Sequence, residues 1–402
     1  MEGVGLYMNN AVEITKDIYW IGVNDRETDI FESLWPLPEG ISYNSYLIVD
    51  DKVALIDTVK INYNNSFLEK IKNLLGDKKI DYLIINHMEP DHSGSIKVLK
   101  EVYPDIKIIG NQKTMGFLEG FYDIIDDTKV INEGDILNLG EHKLKFFITP
   151  MIHWPETMMT YDEKSKMIFS GDAFGGFSAF SGGIFDDEID VLKIEDEIRR
   201  YYSNIVGKYS PIINKTINRL VKNEIKIVGS THGIIWRDNP EYIINKYHQW
   251  SKFEAENGVV IVYGSMYGNT KSMAQEIARS LVEQGIEKID LFDASRTNLS
   301  FILNMIWKYK GLIIGSCTYN NEIFPPVQSL INALKNRGLQ KRYLGIFGSY
   351  SWNGGAVTKL KNFADKSKLK LIKPIVEAKY TPDKECLREC RKLAQNLAKE
   401  MD

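Results

Sequence analysis

Apolar residues follow two rhythms along this chain, and the change falls near Asn257. Before it, apolar runs are short and separated by turns. Residues 18–23, 45–49 and 53–57 read as strands, and Asp50-Asp51-Lys52 makes a hairpin-like connection between the last two. Helical spacing over 63–75 leads to an apolar strand at 82–85 and a helix starting near Ser95. Further short strands are predicted at 106–110, 129–131, 144–149, 166–170 and 226–229, with helices over 191–206 and 211–223. The aromatic, turn-rich stretch 31–43 reads as a long loop, of the kind that often carries function.

Beyond Asn257 the run Val259-Val260-Ile261-Val262-Tyr263 is apolar at successive positions, the mark of a parallel strand covered on both faces. Strands at 288–292, 311–315, 342–347 and 371–376 follow, alternating with helical segments that end with 383–400. Five strands alternating with five helices predict a doubly wound parallel sheet. Two domains are therefore expected, 1–256 and 257–402, although no Pro/Gly-rich linker separates them.

Composition narrows the function. In 402 residues, 44% hydrophobic, the formal charge is only -4, with acids and bases well mixed, so no basic stripe points to nucleic acid. Three cysteines provide neither a disulfide framework nor a thiolate metal set. Cys386 and Cys390, four apart in the last helix, have the spacing for a redox pair, but a packed helix face is the favoured reading. Residues 1–19 lack a basic region followed by an apolar core, and no apolar run approaches the roughly 18 residues that span a bilayer. A soluble, cytoplasmic protein is expected.

The chemistry gathers at strand ends. Asn86-His87-Met88-Glu89-Pro90-Asp91-His92 follows the strand at 82–85 and packs His87, Glu89, Asp91 and His92 into six residues. His153, Asp172 and His232 each stand just beyond a later strand. Loops at one sheet edge are where rigid strands can hold a metal constellation. A mixed imidazole and carboxylate set suits iron, manganese or zinc, and with Asp172 as a bridge the ligands suffice for two ions. His142 and His248 do not follow this pattern and read as surface or helix residues.

In the second domain, Ser265, Met266, Gly268, Asn269 and Thr270 offer hydroxyls and backbone N–H groups at a helix N-terminus, an anion site. The P-loop Lys and the three-glycine dinucleotide fingerprint are both missing, which disfavours ATP and NAD. Two more loops follow strands at the carboxyl edge. One carries Ser316, Thr318, Tyr319, Asn320 and Asn321; the other carries Ser349, Tyr350, Ser351, Trp352, Asn353 and Gly354.

The first region resembles the metallo-β-lactamase superfamily, with Glu89 where the usual His-x-His-x-Asp-His signature has its second His. The second resembles flavodoxin, whose first loop holds the FMN phosphate and whose later loops embrace the flavin, with Trp352 or Tyr350 as the stacking ring. Together, and with the segment 41–47, they resemble the flavodiiron proteins, also called A-type flavoproteins. The implied fold is α/β: a metallo-β-lactamase-like αββα domain followed by a flavodoxin-like doubly wound sheet.

That resemblance implies two irons and FMN as cofactors. It puts His87, Glu89, His153 and Asp172 on one iron and Asp91, His92, Asp172 and His232 on the other, Asp172 bridging. In some members the residue matching His92 is swung away from the metal. A tyrosine near the irons, Tyr201 or Tyr202, would hydrogen-bond the substrate. Many related loops have Pro at the position of Cys317.

The implied activity is reduction of O2 to water, of NO to N2O, or both, with electrons delivered through FMN. A separate rubredoxin or a reduced deazaflavin coenzyme is the implied donor, because the chain ends soon after its fifth flavodoxin-like helix and no fused donor domain is expected. Family members assemble as head-to-tail homodimers, or dimers of dimers, and the same is expected here. The competing readings are a zinc-dependent hydrolase with a flavodoxin-like appendage, in which metal-bound hydroxide attacks an ester, and a non-catalytic electron carrier on a degenerate metal scaffold. Glu89, a harder anionic ligand suited to iron, argues against the first, and seven intact ligand positions argue against the second.

Overall fold

A computed structural model describes residues 11–401. They form two compact units. The first runs to Tyr202 and resumes over Pro211–His248; the second comprises Ser203–Ser210 and the described chain from Gln249 onward.

The first unit holds two sheets. One orders its strands Val12–Thr15, Ile18–Trp20, Tyr46–Val49, Val53–Ile56, Tyr82–Ile84, Lys107–Gly110 and Thr128–Val130. Pairing is antiparallel as far as Val53–Ile56 and parallel after it. The other runs Ile136–Asn138, Lys143–Ile148, Met158–Asp162, Met167–Phe169 and Ile227–Gly229, antiparallel except for its last pair. Parallel neighbours need long crossovers, and these supply the helices Asn64–Leu75, Ile96–Val102, Gln112–Tyr122 and Val191–Tyr201. Asn64–Leu75 buries Phe67, Lys70, Ile71 and Leu75, the i, i+3, i+4, i+8 pattern of one helix face.

Every residue of Val53–Ile56 and Met167–Phe169 is buried, as strands covered on both faces must be. Asn86 ties the sheets together. Its carbonyl accepts from Met158 N–H at 3.0 Å, its Oδ1 accepts from the Thr160 hydroxyl at 2.8 Å, and its amide donates to the Phe169 carbonyl at 3.3 Å. This is the αββα arrangement the sequence implied.

Four local readings change. The expected strand 371–376 falls mostly in the connection between two strands, Lys368–Leu371 and Val376–Lys379. The expected strand 18–23 breaks at Gly22, where a Cβ would lie 2.4 Å from the Tyr43 carbonyl. The chain bends there, so that Val23–Asp25 pairs with Ile41–Tyr43. The expected loop 31–43 thus contains paired backbone, including the short hairpin Ile30–Phe31 with Trp35–Pro36. His142 is not a surface residue. It is buried, its Nδ1–H donating to Asp162 at 2.9 Å while Nε2 accepts from Lys164 at 3.2 Å.

In the second unit the sheet order is Ile289–Asp293, Glu256–Gly264, Tyr309–Tyr319, Gln340–Tyr350, Lys368–Leu371, all parallel. Numbered along the chain this is 2-1-3-4-5, the flavodoxin order. The helix Lys384–Met401 buries Cys390, Leu393, Ala394, Leu397, Ala398 and Met401 against the sheet and the helix Asn269–Glu283. Cys390 is therefore a core residue. Each such Leu contributes about 1.5–3 kcal/mol by leaving water, so Leu393→Ala is the kind of single change that would loosen this face. No helix among the described residues is long and apolar enough to cross a membrane.

Candidate functional site

Four loops of the first unit converge at one edge of its sheets. They follow the strands Tyr82–Ile84, Lys143–Ile148, Met167–Phe169 and Ile227–Gly229 and carry His87 to His92, His153, Asp172 and His232 in that order. The last three strands run in the same direction, because the antiparallel Met158–Asp162 lies between the first two of them.

The side chains form two groups, His87, Glu89, His153 and Asp172, and Asp91, His92 and His232. Asp172 links them. Its Oδ2 lies 3.0 Å from His153 Nε2 and 3.6 Å from His87 Nε2, while its Oδ1 lies 3.2 Å from His92 Nε2 and 3.9 Å from His232 Nε2. Glu89 Oε2 is 3.0 Å from His153 Nε2 and 3.2 Å from His87 Nε2. Asp91 Oδ2 stands 3.2 Å from His92 Nε2 and 3.3 Å from His232 Nε2.

These donors fit a pair of metal ions. Two donors each about 2.1 Å from one ion at right angles are about 3.0 Å apart, which is the spacing found here. Neither oxygen of Asp91, nor Oδ2 of Asp172, has a hydrogen-bond partner among the described residues, although all three are buried. Two of the imidazoles are held in the ligand tautomer by acceptors behind them. His87 Nδ1–H donates to Glu156 Oε1 at 2.8 Å and His232 Nδ1–H to the Ser42 carbonyl at 2.7 Å, so each Nε2 lone pair faces inward.

The electrostatics agree. Burial opposes charge on His153, but Asp172 and Glu89 outweigh it and carry the pKa up to about 9. Burial likewise opposes the charge of Asp172, and His87, His153 and His92 hold its carboxyl well below the usual range. A centre that draws protons onto its imidazoles also draws divalent cations, which would take the place of those protons.

Of the two candidate tyrosines, Tyr201 faces this cluster. Its ring lies 5.5 Å from that of His232, and its buried hydroxyl has no hydrogen-bond partner among the described residues. Burial and the nearby Asp172 push its pKa well above the ordinary value, so it stays a neutral donor. Tyr202 turns the other way and packs edge-on against Tyr247 at 5.0 Å.

The second unit has a cleft of about 410 Å³ at the carboxyl edge of its sheet. Ser265, Met266, Asn269 and Thr270 line it from the first loop, Thr318, Tyr319, Asn320 and Asn321 from the second, and Ser349, Tyr350, Ser351, Trp352 and Asn353 from the third. Tyr267 and Cys317 also line it, whereas Gly268, Ser316 and Gly354 do not. Ser316 works behind the wall, accepting from Phe324 N–H at 3.0 Å. Gly268, at φ +93°, begins the helix Asn269–Glu283 without a side-chain cap, which leaves the first-turn N–H groups for a bound anion. The hydroxyls of Thr270 and Ser349, 2.8 Å apart, join the first and third loops.

Comparison with known proteins places both halves. Residues 41–233 match the ODP family beta lactamase and residues 261–393 match the flavodoxin family. A nitric oxide reductase of Moorella thermoacetica is 35% identical over 398 residues, covering 97% of this chain and 99% of its own. The chain belongs to the flavodiiron protein family. Among solved structures, the rubredoxin oxygen:oxidoreductase of Desulfovibrio gigas superposes with a TM-score of 0.93 at 31% identity, over 97% of this chain and 98% of that one. The flavodiiron protein of Giardia intestinalis does so with a TM-score of 0.91 at 27% identity, over 97% and 96%.

Several residues behind this flavodiiron cluster escaped the sequence reading. Asp57 accepts from the backbone N–H of Asn86 and of His87 at 2.8 and 3.3 Å, and its burial pushes its carboxyl up to about 6. The Thr231 hydroxyl donates to Asp172 Oδ1 at 2.6 Å. Asn44 donates to the carbonyls of Ser230 and Gly233 and accepts from Trp20 Nε1, bracing the His232 loop. The one available signal was proximity. Thr231 adjoins His232, Glu156 stands three residues after His153, and Asn44 lies in the 41–47 segment.

Proposed function

We propose that this flavodiiron protein is an oxidoreductase that reduces O2 to water, NO to N2O, or both, with FMN and two iron ions as its cofactors. The observation that carries the reading is the division of Asp172. One of its oxygens faces His87 and His153 beside Glu89, the other His92 and His232 beside Asp91. His87, Glu89, His153 and Asp172 would hold one iron, and Asp91, His92, His232 and Asp172 the other. The names of the relatives point the same way, one a nitric oxide reductase and one a rubredoxin oxygen:oxidoreductase.

When bound, the irons supply a place for a diatomic molecule and one electron each, which with two from reduced FMN meets the four-electron demand of O2. The chain's own residues set the conditions. Three carboxylates, Glu89, Asp91 and Asp172, offset the charge of two cations in a buried site. Phe31 and Tyr43 both pack against His232, with ring centroids 5.4 and 5.7 Å from its own, walling that side from water. Tyr201 keeps its proton on Oη, where it could donate a hydrogen bond to the substrate without giving up the proton at neutral pH.

In the second unit, the N–H groups at the start of Asn269–Glu283, with Ser265 and Thr270, would bind the FMN phosphate, and Trp352 or Tyr350 would stack on the flavin. A rubredoxin or a reduced deazaflavin coenzyme would supply electrons. A head-to-tail homodimer, or a dimer of two such dimers, would bring one subunit's flavin to its partner's irons. The absence of a crossing helix among the described residues accords with a cytoplasmic enzyme.

The test is anaerobic turnover of the iron- and FMN-loaded protein with each candidate donor, following O2 and NO. Consumption that needs both cofactors is expected. Zinc in place of iron, with ester hydrolysis indifferent to flavin removal, would sink the reading in favour of a hydrolase.

A further inference from the structure

The four imidazoles of the cluster do not share the same surroundings. Behind His87 stands a full carboxylate, Glu156, whose Oε1 accepts both from His87 Nδ1–H at 2.8 Å and from Met88 N–H at 2.9 Å. Behind His232 stands a neutral carbonyl, that of Ser42. Behind His92 stands no hydrogen-bond acceptor, since its Nδ1 is buried with no hydrogen-bond partner among the described residues, and the buried Asp57 acts on His92 and His87 alike through charge.

Glu156 is itself fully buried, and its second oxygen, Oε2, has no hydrogen-bond partner among the described residues. A side chain kept only to fill space or to accept two N–H groups would not need to bury an ionisable group with one oxygen bare, because glutamine would satisfy the same donors without charge. Its backbone is fixed as well. The Asn111 amide donates to the Glu156 carbonyl, and the Asn111 Oδ1 caps the helix Gln112–Tyr122 by accepting from Lys113 and Thr114 N–H. The same loop delivers His153, so Glu156 and His153 approach His87 as one piece.

A carboxylate hydrogen-bonded to the far nitrogen of a ligating imidazole raises that ligand's basicity and stabilises the more highly charged state of the metal. We infer that Glu156 is a positioning residue which fixes the His87 tautomer and makes the iron held by His87, Glu89 and His153 the harder of the two to reduce. The inference rests on the diiron reading and adds to it an electronic difference between the two irons. Among the described residues, those that would hold the other iron have no carboxylate hydrogen-bonded behind their imidazoles: His232 has the Ser42 carbonyl, and His92 Nδ1 has no hydrogen-bond partner.

The test is a redox titration of the full-length protein loaded with iron and FMN, comparing wild type with Glu156→Gln and Glu156→Asp. Glu156→Gln keeps an acceptor for both N–H groups and removes only the charge. It is expected to retain two irons, to raise one iron potential, and to leave the other iron and both flavin steps where they were. Glu156→Asp keeps the charge but draws it back by one methylene, and should move the same potential in the same direction by less. Glu156→Leu should weaken iron binding at one of the two positions by about 10- to 100-fold, with FMN still bound.

If both iron-loaded variants titrate like wild type, or if the two iron potentials shift together, the inference is overturned and Glu156 is a packing residue. Should the wild-type protein itself take up no iron, the diiron reading fails instead, and the two failures are distinct.

Discussion

Around Asp172 the donors are buried side chains, and two of the imidazoles are already hydrogen-bonded behind. Around Gly268 the cleft is walled by backbone and by rings that stand in solvent, with Tyr267 90% exposed and Trp352 84% exposed. A buried set of charges is stable only when balanced, whereas a solvated loop cleft is already satisfied by water. The first unit should therefore depend on its ions for stability and for chemistry. The second should hold its shape with or without flavin.

The sharpest break of this contrast is at the shared carboxylate. Asp172→Ala removes the one group common to both clusters, and should abolish O2 and NO consumption, a loss of at least about a hundredfold, while FMN stays bound at full stoichiometry. His87→Ala should behave in the same way. Loss of flavin from either variant, read from the absorbance spectrum, would show that the two sites are not independent.

Ion removal comes next. A ligand held at a thousand times its Kd stabilises a fold by about 4 kcal/mol. Chelating the iron should lower the first unit's melting temperature by several degrees in calorimetry. Stripping FMN should shift the second unit less. Equal shifts would mean that the cleft is as dependent on its cofactor as the cluster is.

Asn44→Ala tests how far the cluster's rigidity comes from behind it. The change would leave the buried Trp20 indole N–H without its side-chain acceptor, and would reduce the Ser230 and Gly233 carbonyls to the Tyr46 hydroxyl at 2.6 Å and the Ser42 hydroxyl at 3.5 Å as their side-chain donors. A cost of about 3 kcal/mol in urea unfolding is expected, with weaker iron binding because the His232 loop is freed. In the open cleft, Trp352→Ala should cost only about 1 kcal/mol of FMN binding, read by flavin fluorescence.

The same contrast explains how much could be read from the sequence. All seven metal-site candidates stood just past apolar strands, and strand ends are legible because periodicity marks the strand and the polar residue marks its end. The loops of the second unit were legible for the same reason. What stayed hidden depends on which distant loops meet. Nothing in the order of residues says that Glu156 reaches His87, or that Tyr201 and not Tyr202 faces His232; one helical residue rotates a side chain by about 100°. His142 was misread because a lone polar residue in a turn looks exposed, and its acceptor, Asp162, lies twenty residues away on a neighbouring strand.

That misread histidine yields the smallest effect, and it extends the contrast between charge used for chemistry and charge used for structure. Asp162 is buried. Burial works against its charge, but His142, the Ser165 hydroxyl and the Ser165 N–H outweigh it, and its pKa falls below the ordinary aspartate value of 3.8. A carboxyl with a depressed folded pKa binds fewer protons in the native state than in the unfolded one. Its stabilisation is thus fully present above pH 3.8 and drains away as the pH falls through the folded pKa. Acid unfolding should include this loss, and Asp162→Asn should flatten the stability profile below about pH 4 while lowering stability modestly at neutral pH. Because Asp162 is not among the proposed metal ligands, that variant should keep its iron and its turnover. A fall in iron content would instead tie this structural network to the cluster.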